Sequence, residues 1–146
     1  MSPRRGSPRL AQALPDEVLR QPLRSFYERF SSHDPDVFAS ALATGDGVSV
    51  IGSAPGEGHS ERESWVDTYA KKIPEVGLRL EGGGAPRGYA EGTVGFAVDE
   101  PRFVLPDGHL LATRLTAVLR LEADEWKVVH LHFSVGVPDE QAVQAP

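Results

Sequence analysis

Residues 110–135 read LLATRLTAVLRLEADEWKVVHLHFSV. Apolar and polar side chains alternate in both arms of this stretch, with Leu115, Ala117 and Leu119 in the first and Val129, Leu131, Phe133 and Val135 in the second. A period of two marks strands buried on one face. Glu122-Ala123-Asp124-Glu125 breaks the pattern, so the stretch predicts a hairpin joining Leu110–Leu121 to Trp126–Val135. The apolar rows are expected to face a core. Trp126, Val128, His130, His132 and Ser134 then share the outer face with Arg114, Thr116, Val118 and Arg120.

Upstream of the hairpin the pattern stays strand-like as far as Pro74. Val76, Leu78 and Leu80 alternate before Gly82-Gly83-Gly84, which reads as a flexible turn. Tyr89–Val98 reads as one longer strand that Arg102–Leu105 continues past a bend at Pro101, and Pro106-Asp107-Gly108 is a turn signal. Before Pro74 the period changes. Val18-Leu19, Leu23, Phe26-Tyr27 and Phe30 recur at three-to-four spacing, which predicts a helix over Asp16–Phe30 with a kink or restart at Pro22. Asp34-Pro35 supplies an N-cap and a first helical residue for a short second helix. Val48–Ile51 is a strand. Ser60 and Glu63 stand at capping-box spacing ahead of a third helix that buries Trp65, Val66, Tyr69 and Ile73. Helices followed by consecutive antiparallel strands predict an α+β fold with the helices on one sheet face.

A chain of 146 residues suits one domain. Residues 15–138 are read as that domain, residues 1–14 as a disordered basic arm and residues 139–146 as a loose tail. Fifteen basic and 21 acidic residues give a formal net charge of -6, which argues against nucleic-acid binding. No apolar run is long enough to span a bilayer, so no membrane association and a cytoplasmic location are expected. The absence of cysteine excludes disulfides, thiolate metal sites and cysteine nucleophiles.

The order of elements, with one early strand between the second and third helices, resembles the NTF2-like superfamily. Gly45–Gly52 followed by Pro55-Gly56-Glu57 is similar to the first-strand block of its SnoaL-like branch. Arg114-Leu115-Thr116 with Trp126–Ser134 is similar to the closing hairpin of that branch and of the calcium/calmodulin-dependent kinase association domain. The resemblance implies a cone-shaped, cystatin-like architecture in which three N-terminal helices pack on a curved antiparallel sheet around an apolar pocket. It also implies pairing of two chains through the outer face of the sheet, and no cofactor.

Isomerase-like relatives use a helix-one tyrosine, a carboxylate ending the first strand and an acid on a late strand. A base must take a proton beside a carbonyl while two donors hold the developing oxyanion. Tyr27 matches the tyrosine. The first strand ends in Ile51-Gly52 without a carboxylate, and the late-strand acid falls near Ala117, so ketosteroid-type isomerisation is not expected. His130 and His132 form a His-x-His pair able to chelate a metal or supply a base. Further ligands could come only from Glu57, His59 or His109, all in or near loops, and no metal is expected.

These residues lead to an expected small-molecule binder that forms a homodimer. Its pocket would be lined by Tyr27, Trp65, Leu115, Val129, Leu131 and Phe133, and its interface would contain Arg114, Thr116, His130 and His132. Two alternatives use the same residues. One is a cofactor-independent lyase or isomerase with Tyr27 as donor and His130 as base; the other is an oligomerisation module.

Overall fold

The computed structural model describes residues 12–13, 16–54 and 56–144. Helix α1, Asp16–Ser31, runs unbroken through Pro22 and buries Leu23, Phe26, Tyr27 and Phe30 along one side. Helix α2, Pro35–Ala39, opens where Asp34 accepts hydrogen bonds from the Asp36 and Val37 amides. Helix α3, Arg62–Val76, departs from the expected capping box: its N-cap is Glu61, which makes no side-chain cap. Gly77 ends it in the left-handed region at φ 74, with its amide on the Ile73 carbonyl.

Ten strands and a fourth helix complete the described chain. The main sheet runs in the order β1 (Gln12–Ala13), β5 (Arg87–Glu91), β6 (Val94–Asp99), β9 (Arg114–Glu122), β10 (Glu125–Ser134), β2 (Ser49–Ile51), β3 (Gly58–His59). A smaller sheet orders β4 (Arg79–Glu81), β7 (Arg102–Val104) and β8 (Leu110–Ala112). The predicted hairpin is β9–β10, paired antiparallel through Leu115↔Phe133 and Ala117↔Leu131. The early strand β2 lies parallel to β10, with Val50 opposite Leu131.

Several predicted strands divide where backbone chemistry demands it. Tyr89–Val98 is a hairpin rather than one strand, because Gly92 turns the chain at φ 64. Arg102–Val104 does not extend β6 but joins the second sheet. The expected strand Leu110–Leu121 breaks at buried Thr113, whose amide and hydroxyl both bond the Pro101 carbonyl at 3.0 and 2.7 Å. This corner passes the chain from the smaller sheet to the main one.

A register shift between Val128 and His130 marks a β-bulge at Val129. One extra residue inverts the side-chain alternation on the turn side of the bulge. Val128, expected outside, is therefore buried in the core; Val129, expected inside, is half-buried against it. His130 and His132 keep the expected outer face. The core is strongly aromatic: Phe38 stacks on Tyr69 at 4.0 Å and meets Trp65 edge-on at 5.6 Å, and Phe103 packs on Phe133 at 5.1 Å.

Of the expected basic arm, only Gln12–Ala13 lie among the described residues, and they pair with β5. The expected loose tail contains helix α4, Asp139–Gln144, whose first turn carries Asp139 and Glu140, where acidic charge suits the helix dipole.

Candidate functional site

The side of α1 that carries Leu23, Tyr27 and Ser31 stands against β4, and Ser31 fastens the two together. Its hydroxyl lies 3.3 Å from the Leu80 carbonyl and accepts the Leu80 amide at 2.9 Å. Between α1, β4, the glycine turn after it and the end of β6 lies an open cleft of about 400 Å³. Its surface is more apolar than polar, with Leu23, Leu80 and Pro86 among its walls.

Tyr27 and Asp99 lie in this cleft, both nearly buried at 6% and 8% exposure. Each faces inward for a local reason. Tyr27 follows Leu23 by four residues on the buried side of α1, and Asp99 follows Ala97 by two on β6, where Ala97 is fully buried. The Tyr27 hydroxyl donates to Asp99 Oδ2 at 2.8 Å, and the Gly83 amide donates to the same oxygen at 3.2 Å. A carboxylate at this depth needs such partners. Burial first, and then the neighbouring Asp99 charge and hydrogen bond, push the Tyr27 hydroxyl far above the ordinary tyrosine range, so it stays protonated.

Gly82-Gly83-Gly84 is therefore more than a flexible turn. A Cβ on Gly83 would fall 2.3 Å from the Glu100 carbonyl oxygen and 2.9 Å from Asp99 Oδ1. One on Gly82 would stand 3.2 Å from the Tyr27 ring. Only glycine lets the backbone come close enough to bond the carboxylate.

The structure separates the expected site residues into three groups. Tyr27 lines the cleft. Trp65, Leu115, Leu131 and Phe133 are buried in the core cluster and Val129 packs against it, because the aromatic cluster fills the space between helices and sheet. His130 and His132 lie on the outer sheet face with Arg114 and Thr116. There His130 Nδ1 is 2.7 Å from the Ser49 hydroxyl, and Arg114 donates to Ser134 at 3.2 Å. His130 is thus no part of the cleft that holds Tyr27, and the side chain that Tyr27 pairs with there is Asp99. The alternation Gly95, Ala97, Asp99 could have revealed this acid, since it places a carboxylate in an inward row of small residues.

The possible metal ligands are spread apart. His59 contacts the Ser64 hydroxyl, His109 pairs with Asp107, and Glu57 accepts the Ala54 amide. Among the described residues no group of three His, Asp or Glu side chains could hold a metal ion. No helix among them is long and apolar enough to cross a membrane.

A second cleft, of about 420 Å³, lies between α1 and the β9–β10 turn and is more polar. Its cations are already engaged: Arg29 and Lys127 both donate to the Ser40 carbonyl, at 2.9 and 2.6 Å, and Lys127 pairs with Glu125 at 2.9 Å. The pair at Tyr27 and Asp99, by contrast, can orient a ligand hydroxyl by accepting a hydrogen bond from it.

Comparison with solved structures places the architecture. An NTF2-like protein of unknown function from Pseudomonas putida superposes with a TM-score of 0.70 at 15% identity, over 86% of this chain and 89% of its own. A protein of unknown function from Mycobacterium tuberculosis gives 0.73 at 10% identity, over 88% and 76%. A putative calcium/calmodulin-dependent protein kinase type II association domain from Thiobacillus denitrificans gives 0.65 at 19% identity, over 81% and 94%. At these identities the likeness is one of fold, and that fold is NTF2-like, or cystatin-like. No curated protein matches the chain. The family model of the SnoaL-like domain matches residues 19–138, from α1 to the end of the sheet, and the chain belongs to the SnoaL-like domain family.

Proposed function

We propose that this SnoaL-like domain binds a small, largely apolar molecule in the cleft at Tyr27 and Asp99, and does so as a homodimer. One observation carries the binding reading: a nearly buried, hydrogen-bonded Tyr27–Asp99 pair lies in an apolar-walled cleft large enough for a small ligand. Mass spectrometry of the native protein purified from its own host tests it. A retained small molecule is expected in the wild type and is expected to be lost in Glu28→Trp, which crowds the cleft from an exposed position of α1. Wild type and variant that carry no molecule, or the same molecule to the same extent, would sink the binding reading.

The dimer reading is supported by the outer sheet face. Tyr89, Phe96, Val118, His130 and Ser49 form one cross-strand row there, and Val98, Thr116, His132 and Ile51 line another. Tyr89, Phe96 and Ile51 are 42%, 41% and 47% exposed, an apolar surface larger than scattered single residues would give. Light scattering after size exclusion is expected to give twice the chain mass of 15.8 kDa, and Phe96→Asp is expected to give the monomer. A monomeric wild type would remove the dimer from the proposal and leave ligand binding untouched.

A further inference from the structure

The hydrogen-bond inventory of the cleft restricts which small molecules it can hold, a restriction that rests on the binding reading above. The Tyr27 hydroxyl has one proton and gives it to Asp99 Oδ2, and the Gly83 amide gives its own to the same oxygen. Both donors are therefore committed to one carboxylate oxygen. The other, Oδ1, accepts from no described residue. Asp99 lines the cleft, and no fully buried side-chain oxygen or nitrogen among the described residues lacks a partner, so Oδ1 is the Asp99 oxygen left available to a ligand. The Tyr27–Asp99 pair thus offers a ligand acceptors only: Asp99 Oδ1 and the remaining acceptor capacity of the Tyr27 oxygen.

The rim does not reverse this. Arg24 and Arg79 line it together with Glu28 and Glu81, all four exposed; with Asp99 the lining holds three acids and two bases, a formal charge of −1. Exposed guanidinium groups are solvated and screened, so they attract an anion far less than a buried donor would. A carbonyl or carboxylate at this pair would set acceptor against acceptor and leave buried groups unpaired, the kind of mismatch that sites discriminate against most strongly.

We propose that the cleft selects neutral or cationic molecules with an apolar body and a hydroxyl or amine, whose donor bonds Asp99 Oδ1, over ketones and carboxylates of the same shape. The tyrosine thus serves to fix the carboxylate and is not itself a donor to the ligand. Gly83 acts with it as a positioning residue.

Four cage compounds that differ only in their polar group test this: adamantanamine, adamantanol, adamantanone and adamantanecarboxylate. Each is titrated into the full chain while the backbone amide resonances of Gly82, Gly83 and Gly84 are followed by NMR. The amine and the alcohol are expected to bind about tenfold more tightly than the ketone and the carboxylate. Asp99→Asn puts an amide donor in the cleft and is expected to abolish the preference for the amine and favour the ketone. Equal affinities for all four compounds, or tightest binding of the carboxylate or ketone to the wild type, would overturn the selection while leaving the binding reading intact. Should none of the four move these resonances, the selection falls, while the binding reading still stands or falls with the molecule retained in native mass spectrometry. The wild-type series alone decides the question if the variant does not fold.

Discussion

Phe38→Ala is expected to lower the stability of this domain by about 4 kcal/mol, the largest loss from a single truncation in the aromatic core. Phe38 is fully buried, stacks face to face on Tyr69 at 4.0 Å and touches Trp65, Phe26 and Phe30 at 5.6, 6.1 and 6.1 Å. Truncation removes its own burial and every one of these ring contacts. The hole cannot close easily, because the surrounding rings belong to α1 and α3, whose relative position is fixed by the Tyr69 hydroxyl donating to the Phe30 carbonyl. At this chain length the loss corresponds to a fall in Tm of roughly 12 °C. Urea unfolding followed by circular dichroism measures it directly. A loss below about 1.5 kcal/mol would show that helices and sheet can collapse around the site, and that the core is less rigid than its stacking geometry implies.

Gly83→Ala is expected to be the most damaging change near the cleft, costing about 2 kcal/mol and abolishing ligand binding. The added methyl meets backbone, the Glu100 carbonyl at 2.3 and 2.7 Å, so no side-chain rotation relieves it. The glycine turn must instead move away, which withdraws the Gly83 amide from Asp99 Oδ2. Gly82→Ala should do less, because its methyl meets the Tyr27 ring at 3.2 Å and a shift of a few tenths of an ångström suffices. Paired thermal melts of the two variants test the ordering. If Gly82→Ala is the more damaging, backbone collision at Gly83 is not what shapes the cleft.

Much of the fold is legible in short patterns. The hairpin of residues 110–135 is written in its alternation, the first helix in the spacing of Leu23, Phe26, Tyr27 and Phe30, and the second in Asp34-Pro35. Each of these signals depends only on neighbours along the chain. The misplaced boundaries share a different origin. Gly92 reads as a permissive residue within a strand until β5 and β6 pair across it. Thr113 reads as one more β-branched residue until its hydroxyl meets the Pro101 carbonyl. The bulge at Val129 leaves no mark in a sequence where Val128 and Val129 are both apolar, so alternation alone points to Val129 as the inward valine where the structure buries Val128.

The candidate site was legible only in part. Tyr27 could be placed on the inner side of a helix, yet nothing in its surroundings along the chain names a partner 72 residues away. Of the apolar residues expected to line a pocket, Trp65, Leu115, Leu131 and Phe133 do face inward, and inward-facing residues either bound a cavity or fill a core. Phe26, Phe30, Phe38, Tyr69 and Trp65 come together from three helices and fill the space, leaving the cleft at the edge where α1 meets β4.

By itself the sequence determined the α+β class, the closing hairpin and the helical faces, because local periodicity fixes which way a side chain points wherever no bulge interrupts it; which face His130 and His132 take was settled by the register on the far side of the bulge at Val129. Only the tertiary structure decided that Asp99 and Gly83 meet Tyr27, and that the cleft lies beside the core instead of within it. Those contacts join residues distant in sequence, and how large aromatic side chains fill a volume depends on all the elements that enclose it.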